Sequence, residues 1–488
     1  MRGQTAPNPT TGAAAAPATR VSSPAAVLAV LSLAAFMASL DLFIVNVAFR
    51  AIGGDFGGTS LSDLSWVLNA YAIVYAALLV PLGRLADKYG RKAGFLLGLA
   101  VFTLASAACA AAPGLWVLVG FRTLQAAGAA LLTPTSLGLL LHAMPAERRA
   151  RAVRVWAATG ALAAAAGPVI GGLLVAGSWR WVFLVNVPIG LLALAFAARV
   201  VPESRDPQAG SIPDLPGAGL LALAVGALAL GLVEAPTWGW LSPRTWGAIF
   251  LAAMCLAGFW RRSLHHESPV VEPALLRVRA FAWSNATALV FGVAFAGNLL
   301  VNILWMQEVW HYTALRTGLG VAPGPLMVPV FAAVAQSIAH RVPAGRIAAA
   351  GCLLLGAGLA LSVLLLGREP AYLAELLPCS IIGGAGVGLG LPTILSTATT
   401  DLPPARAATG SAIVNMSRQV GTVLGVSVLV ALLGSPIGYP AVHGAFDHVR
   451  WAMVIACVIA AAAATGMTPR SSGATPELAS EPALQLGR

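Results

Sequence analysis

The chain has 488 residues, 58% of them apolar and only 10% charged, with a formal net charge of +11. A soluble domain carries about 25% charged residues, so long apolar runs between short charged loops exclude a soluble enzyme or binding module and indicate a polytopic membrane protein. The basic excess alone would suit a nucleic-acid partner, but its placement along the chain argues against one.

Residues 1–24 are rich in Ala, Pro, Thr and Gly and read as a disordered terminus. Fourteen apolar spans follow, at 26–49, 64–83, 93–111, 114–141, 153–176, 182–200, 217–234, 245–260, 282–306, 317–339, 346–366, 371–397, 407–433 and 449–467. The first span is read as an uncleaved transmembrane helix, because its apolar run continues to about Ala48. An even count puts both termini on one side. That side carries 21 of the 29 Lys and Arg residues, the opposite side carries six, and Arg122 and Arg418 lie inside spans. Basic loops stay cytoplasmic, so both termini are expected in the cytoplasm of a bacterial cell membrane, and the high pI is a topology signal.

The expected division is a cytoplasmic tail at 1–24, a six-helix bundle at 25–200 and a cytoplasmic linker at 201–216. Two additional helices at 217–260, a cytoplasmic loop at 261–281, a second six-helix bundle at 282–467 and a disordered tail at 468–488 complete it. A faint repeat supports two related halves: Gly83-Arg84-Leu85-Ala86-Asp87-Lys88 after the second span echoes Gln336 to Arg341 after the tenth, and Pro145-Ala146-Glu147-Arg148 echoes Pro404-Ala405-Arg406. All five cysteines fall inside spans without disulfide or metal spacing, and the seven histidines show no metal pattern. No nucleotide-binding loop or acid-base constellation is present. The expectation is therefore no cofactor, no metal, no catalysis and no obligate protein partner.

One acid stands out. Asp41, in the run Leu40-Asp41-Leu42-Phe43-Ile44, is the only one of 18 acidic residues placed deep in a span. A lone carboxylate there costs several kcal/mol unless it is paired, protonated or facing water. It lies 15 residues from the cytoplasmic start of its span, about 22 Å along the helix. Arg122 lies seven residues from the outer start of the fourth span, about 10 Å in. In a core of about 30 Å the two share a layer and can neutralise each other. Such a pair serves either as a proton switch or as a static helix brace. Arg122 can also form a polar hub with Gln125.

Arg418, in the thirteenth span, has no acid at its depth; it meets an anionic substrate group, backbone carbonyls or water. Asn298 and Asn302, like Asn415 and Gln419, share helix faces at i, i+4 spacing. With Phe43, Asn46, Trp66, Tyr71 and Tyr75 they line a polar-aromatic cavity or join helices by hydrogen bonds. Gly160, Gly167, Gly171 and Gly172 permit close helix contact in the fifth span, and Pro168 permits a bend.

Several of these segments resemble a known family. Gly83-Arg84-Leu85-Ala86-Asp87-Lys88-Tyr89-Gly90-Arg91-Lys92 is similar to the loop between the second and third spans of the major facilitator superfamily. Gly167-Pro168-Val169-Ile170-Gly171-Gly172 resembles the antiporter motif of its drug exporters. Asp41 to Ala48, and Ser178-Trp179-Arg180-Trp181-Val182-Phe183 with Asn186 and Pro188, resemble its fourteen-span drug:proton antiporter branch. Phe43, Arg50, Ala126 and His340 depart from the usual pattern, and Phe43 would reshape the cavity. The resemblance implies an all-helical membrane fold of two six-helix bundles plus two central helices. It implies export of amphipathic drug-like compounds or secondary metabolites in exchange for protons. It also implies coupling at Asp41 and Arg122, and gating by Gly83, Asp87, Gly90 and Arg91, with Asp87 facing the start of the thirteenth span. Uptake, transport of a specific lipid or metabolite, and a non-transporting membrane sensor are the alternatives. The expected partners are a small-molecule substrate, protons and the lipid bilayer.

Overall fold

The computed structural model describes residues 23–57, 59–206, 212–403 and 406–468. The terminal tails expected at 1–24 and 468–488 lie almost wholly outside these residues, as do Pro404 and Ala405 of the repeat. Fourteen helices among the described residues are long and apolar enough to cross a membrane. The first half contains α1 (Pro24–Asp55), α2 (Leu61–Tyr89), α3 (Arg91–Ala110), α4 (Leu115–Ala143), α5 (Ala146–Val175) and a sixth span made of α6 (Trp181–Leu184) and α7 (Asn186–Val200). Next come α8 (Leu215–Trp238) and α9 (Pro243–His265). The second half begins with α10 (Arg279–Leu304), which runs into a π-helical turn at Trp305–Val309. Its second span joins α11 (Ala314–Val321) to α12 (Pro323–Ile338). α13 (Ala344–Leu365), α14 (Leu376–Thr400), α15 (Ala407–Leu433) and α16 (Tyr439–Thr465) complete it.

Each half packs mainly on itself as a six-helix bundle; α8 and α9 pair with each other, and α8 lies against α2 and α15. Apolar surface alone does not join helices in lipid, so close approach depends on small residues. α10 and α15 cross where Gly292 meets Gly421, the position of a Cβ on either being 3.2 Å from the other's Cα. α14 presents Gly383 and Gly386 to α13, and Gly384 to Gly324 of α12.

Two boundaries differ from the sequence reading in ways that matter. The segment from Gly83 is helical to Tyr89 rather than a loop, because Arg-Leu-Ala-Asp-Lys are acceptable helix residues and the break waits for Gly90, at φ 136°. α16 begins at Tyr439, ten residues before the expected 449, and brings Asp447 into a span. Asp447, more than two turns inside α16, is thus a second acid within the body of a span beside Asp41, and Asp214 is buried as the N-cap of α8. We call the side on which α1 begins the near side and the other the far side.

Candidate functional site: a buried ion pair behind a central cavity

α1 and α4 bring Asp41 and Arg122 together, with Arg122 Nη1 2.5 Å from Asp41 Oδ2. The two side chains are 0% and 1% exposed. Both oxygens of the carboxylate are engaged. Asp41 Oδ1 accepts from Gln125 Nε2 at 2.9 Å and from Asn186 Nδ2 at 3.1 Å. Arg122 also donates to Gln125 Oε1 at 2.7 Å and to the Val67 carbonyl at 3.3 Å. Gln125 Nε2 further donates to Ser106 Oγ at 2.6 Å. The Tyr71 ring lies 4.0 Å from the guanidinium carbon, a cation–π contact in a dry setting. Sequence reasoning assigned no site role to Ser106 or Asn186. Asn186 carries a visible signal, since it belongs to the motif around Trp179, but Ser106 on α3 has none.

Arg122 stands between Asp41 and a cavity that spans both halves and holds about 580 Å³ of empty space, its open mouth included. Phe43, Asn46, Tyr71, Arg122, Arg418 and Gln419 line it, and Phe295 adds a second aromatic wall. Phe43 and Phe295 meet edge to face at 6.4 Å.

Other expected cavity residues have been turned to different contacts. Asn302 donates to Asn298 at 3.1 Å, Asn415 donates to the Ser411 carbonyl of its own helix at 2.9 Å, and Tyr75 donates to Thr133 Oγ1 at 3.2 Å. None of these four lines the cavity, nor does Trp66, which packs on the apolar core. Gln125 sits in the ion-pair hub behind it. The i, i+4 spacing put Asn298 with Asn302, and Asn415 with Gln419, on one face each but could not say what that face meets.

The α5 glycines are wedged between α1 and the opposite half. A Cβ on Gly167 would lie 2.8 Å from that of Phe43, and one on Gly171 would lie 3.0 Å from the Ile44 carbonyl. One on Gly172 would lie 2.7 Å from Leu315 Cα on α11, and Pro168 presents its carbonyl to Gly318. The motif thus fastens the helix carrying Asp41 to the far-side end of the second half. Nearby, Arg50 donates to the Gln307 carbonyl, and Gln307 Nε2 donates to the Val47 carbonyl at 3.1 Å.

On the near side, Asp87 accepts from Arg91 Nε at 2.6 Å. A Cβ on Gly90 would press on the Glu203 carboxylate, which accepts from the Lys92 amide at 3.0 Å and so caps α3. The polar link between halves passes through a residue the sequence did not single out. Glu272, between α9 and α10, accepts from Arg84 of α2 at 2.8 Å and from Arg406 just before α15. Glu272→Gln should loosen this link and raise labelling of an Asn46→Cys cavity reporter from the near side about two- to fivefold, the range of a half-buried ion pair. An unchanged labelling rate would deny Glu272 a part in closing that side.

Arg450 is a second buried arginine, 0% exposed. It donates to Asp447 at 3.1 Å and lies 4.3 Å from the Trp305 ring centre. Asp447 also meets His443 at 3.0 Å. The π-helical turn starting at Trp305 makes this contact with α16.

Comparison with known proteins places the molecule. Residues 31–426 match the family model described as Major Facilitator Superfamily. The chain belongs to the Major Facilitator Superfamily. It is a multi-pass membrane transporter of that superfamily, and small-molecule transport is the superfamily's business. It is 35% identical to the multidrug resistance protein Stp of Mycobacterium tuberculosis over 82% of this chain and 74% of that protein. It is 32% identical to the methylenomycin A resistance protein of Streptomyces coelicolor, over 84% and 85% of the two chains. It is 31% identical to the tetracenomycin C resistance and export protein of Streptomyces glaucescens, over 84% and 76%. Among solved structures, a peptide transporter in complex with sulfate superposes with a TM-score of 0.65 at 18% identity, covering 91% of this chain and 95% of that one. A D-xylose-proton symporter gives 0.65 at 14% identity, covering 92% and 99%. At these identities the structural likeness concerns the superfamily fold alone.

Proposed function

We propose that this transporter exports amphipathic drug-like compounds or secondary metabolites in exchange for protons, with Asp41 as the proton carrier and Arg122 as its switch. The observation that carries this reading is the sealed Asp41–Arg122 pair on the wall of the central cavity. A fully buried ion pair is a poor source of stability, so its retention beside a cavity fits a functional role. The resistance and export proteins among the relatives support the direction of transport. The Lys and Arg asymmetry supports termini in the cytoplasm, which makes the near side cytoplasmic.

In this reading the units near 25–200 and 282–467 rock about the cavity. The far-side contacts of Gly172, Gly318 and Gln307 close the outside, and substrate arrives from the near side. After reorientation Asp41 accepts a proton from outside and releases Arg122. Return to the near side delivers the proton inward and restores the pair. Each charge moved inward gains about 2.3 kcal/mol per 100 mV. Gly83, Asp87, Gly90 and Arg91 set the near-side gate, assisted by Glu272.

The test is proton counterflow in liposomes holding purified protein, with an imposed pH gradient and a panel of lipophilic drug-like compounds. Wild type should release protons from the gradient only when substrate is present, and Asp41→Asn should fall to the protein-free background. Equal counterflow in the variant would move coupling to another residue, and substrate-driven flux of the opposite sign would make the protein an importer.

A further inference from the structure

The central cavity holds a cation with nothing to neutralise it. Arg418 Nε is buried and unbonded, and among the described residues the guanidinium has no hydrogen-bond acceptor and no carboxylate within ion-pair distance. Its neighbour on the same wall, Gln419, has its Nε2 buried and unbonded as well, and so does the Tyr71 hydroxyl. The other charge on the wall, Arg122, is matched by Asp41. No residue lining the cavity is acidic.

The sequence left three partners open for Arg418. Backbone carbonyls supply no hydrogen bond to it among the described residues, and its place on the cavity wall leaves a ligand or water. Arg418 is half-buried with its Nε shut off from solvent, and a charge held there without a partner is costly. An arrangement of several unpaired donors around one unpaired cation is complementary to an acceptor-rich anion. Arg presents its N–H groups in a planar fork that fits a carboxylate. The remaining wall is apolar and aromatic, with Phe43, Phe295 and Leu299.

We infer that the substrate is an amphipathic monoanion, an aromatic or alicyclic body bearing one carboxylate or ionised phenol, whose acid group is held by Arg418 and Gln419. This rests on the export reading and names its substrate class. Asp41 is sealed behind Arg122, so the acid group does not meet the proton-carrying carboxylate. Exchange then runs through conformation, substrate favouring the near-side-open state and the proton favouring the far-side-open one.

The probes are three compounds on one scaffold: naphthaleneacetate, naphthaleneacetamide and the naphthylethylammonium ion. Binding to purified wild type, Arg418→Gln and Arg418→Lys is measured by calorimetry, and proton exchange is measured in liposomes. Wild type should bind the acid best. Arg418→Gln should weaken the acid about ten- to hundredfold, the value of a hydrogen bond to a charged group, while leaving the amide within about twofold. Arg418→Lys should recover part of the loss, which separates a lost charge from a misfolded cavity. Acid binding that is undetectable in wild type, matched by the ammonium ion, or unchanged in Arg418→Gln overturns the inference. If the amide or ammonium ion then exchanges for protons through Asp41, the export reading survives alone. If the acid binds through Arg418 but no compound exchanges for protons, the anion site survives and the exchange reading falls.

Discussion

Arg122→Met is expected to damage the folded protein more than the double change Asp41→Asn with Arg122→Met. Removing the arginine alone leaves a carboxylate that is 0% exposed with only neutral donors, Gln125 and Asn186, to hold it. Breaking one side of a buried pair typically costs about 3–5 kcal/mol, whereas replacing both partners with neutral groups is often close to neutral. In the double variant the Asn carbonyl oxygen still accepts from Gln125 and Asn186, and methionine fills the space beside Tyr71. Unfolding in detergent, followed by circular dichroism for the four members of the cycle, should therefore give a coupling energy of about 2 kcal/mol or more. Proton exchange should be lost in all three variants, so stability and transport separate. Additive losses would mean that the pair is screened by water and that Asp41 is not sealed.

Gly421→Val is expected to be the most disruptive single-residue change in the second half. Any side chain there is driven into the Leu289 carbonyl of α10, and a Cβ would sit 3.2 Å from Gly292 Cα. Backbone cannot rotate aside as a side chain does, so the cost should reach the upper end of overpacking, about 3 kcal/mol. Gly292 in turn packs on the carbonyl of Arg418, so separating α10 from α15 also displaces the cavity's unpaired cation. Gly219→Val on α8 is the control, because nothing lies within 4 Å of a Cβ at that position. It should change stability by no more than about 0.5 kcal/mol. Equal loss in both variants would attribute the effect to glycine's backbone rather than to the crossing. Retained stability in Gly421→Val would mean that the two helices can slide apart without penalty.

Much of this architecture is legible in one dimension because the bilayer imposes it. A span must be apolar for about 20 residues, and the fourteen runs are found as fourteen helices. Depth is legible too, since rise per residue is fixed, and it brought Asp41 level with Arg122 before any contact was known. Boundaries proved less secure. The polar start of α16, with His443, Asp447 and His448, reads as loop by hydropathy alone, although packing against Trp305 and Phe446 makes Arg450 a buried residue.

The difference between Asn298 and Arg418 shows where a linear reading stops. Both are polar residues in spans, and both were candidates for the cavity wall. Asn298 is consumed by Asn302 one turn away, a pairing that spacing allows but does not require. Arg418 faces the cavity unpaired because α15 crosses α10 at Gly421 and turns that face toward α2. Likewise Glu272 lies in a connection that hydropathy treats as a mere loop, and gains its meaning from two arginines, Arg84 and Arg406, that lie 188 and 134 positions away in the chain. Membrane insertion, span count and depth follow from local composition, because each depends on the cost of placing one residue in hydrocarbon. Which buried charges are matched and which remain open to a ligand depends on helix rotation and crossing, set by contacts between residues far apart in the chain.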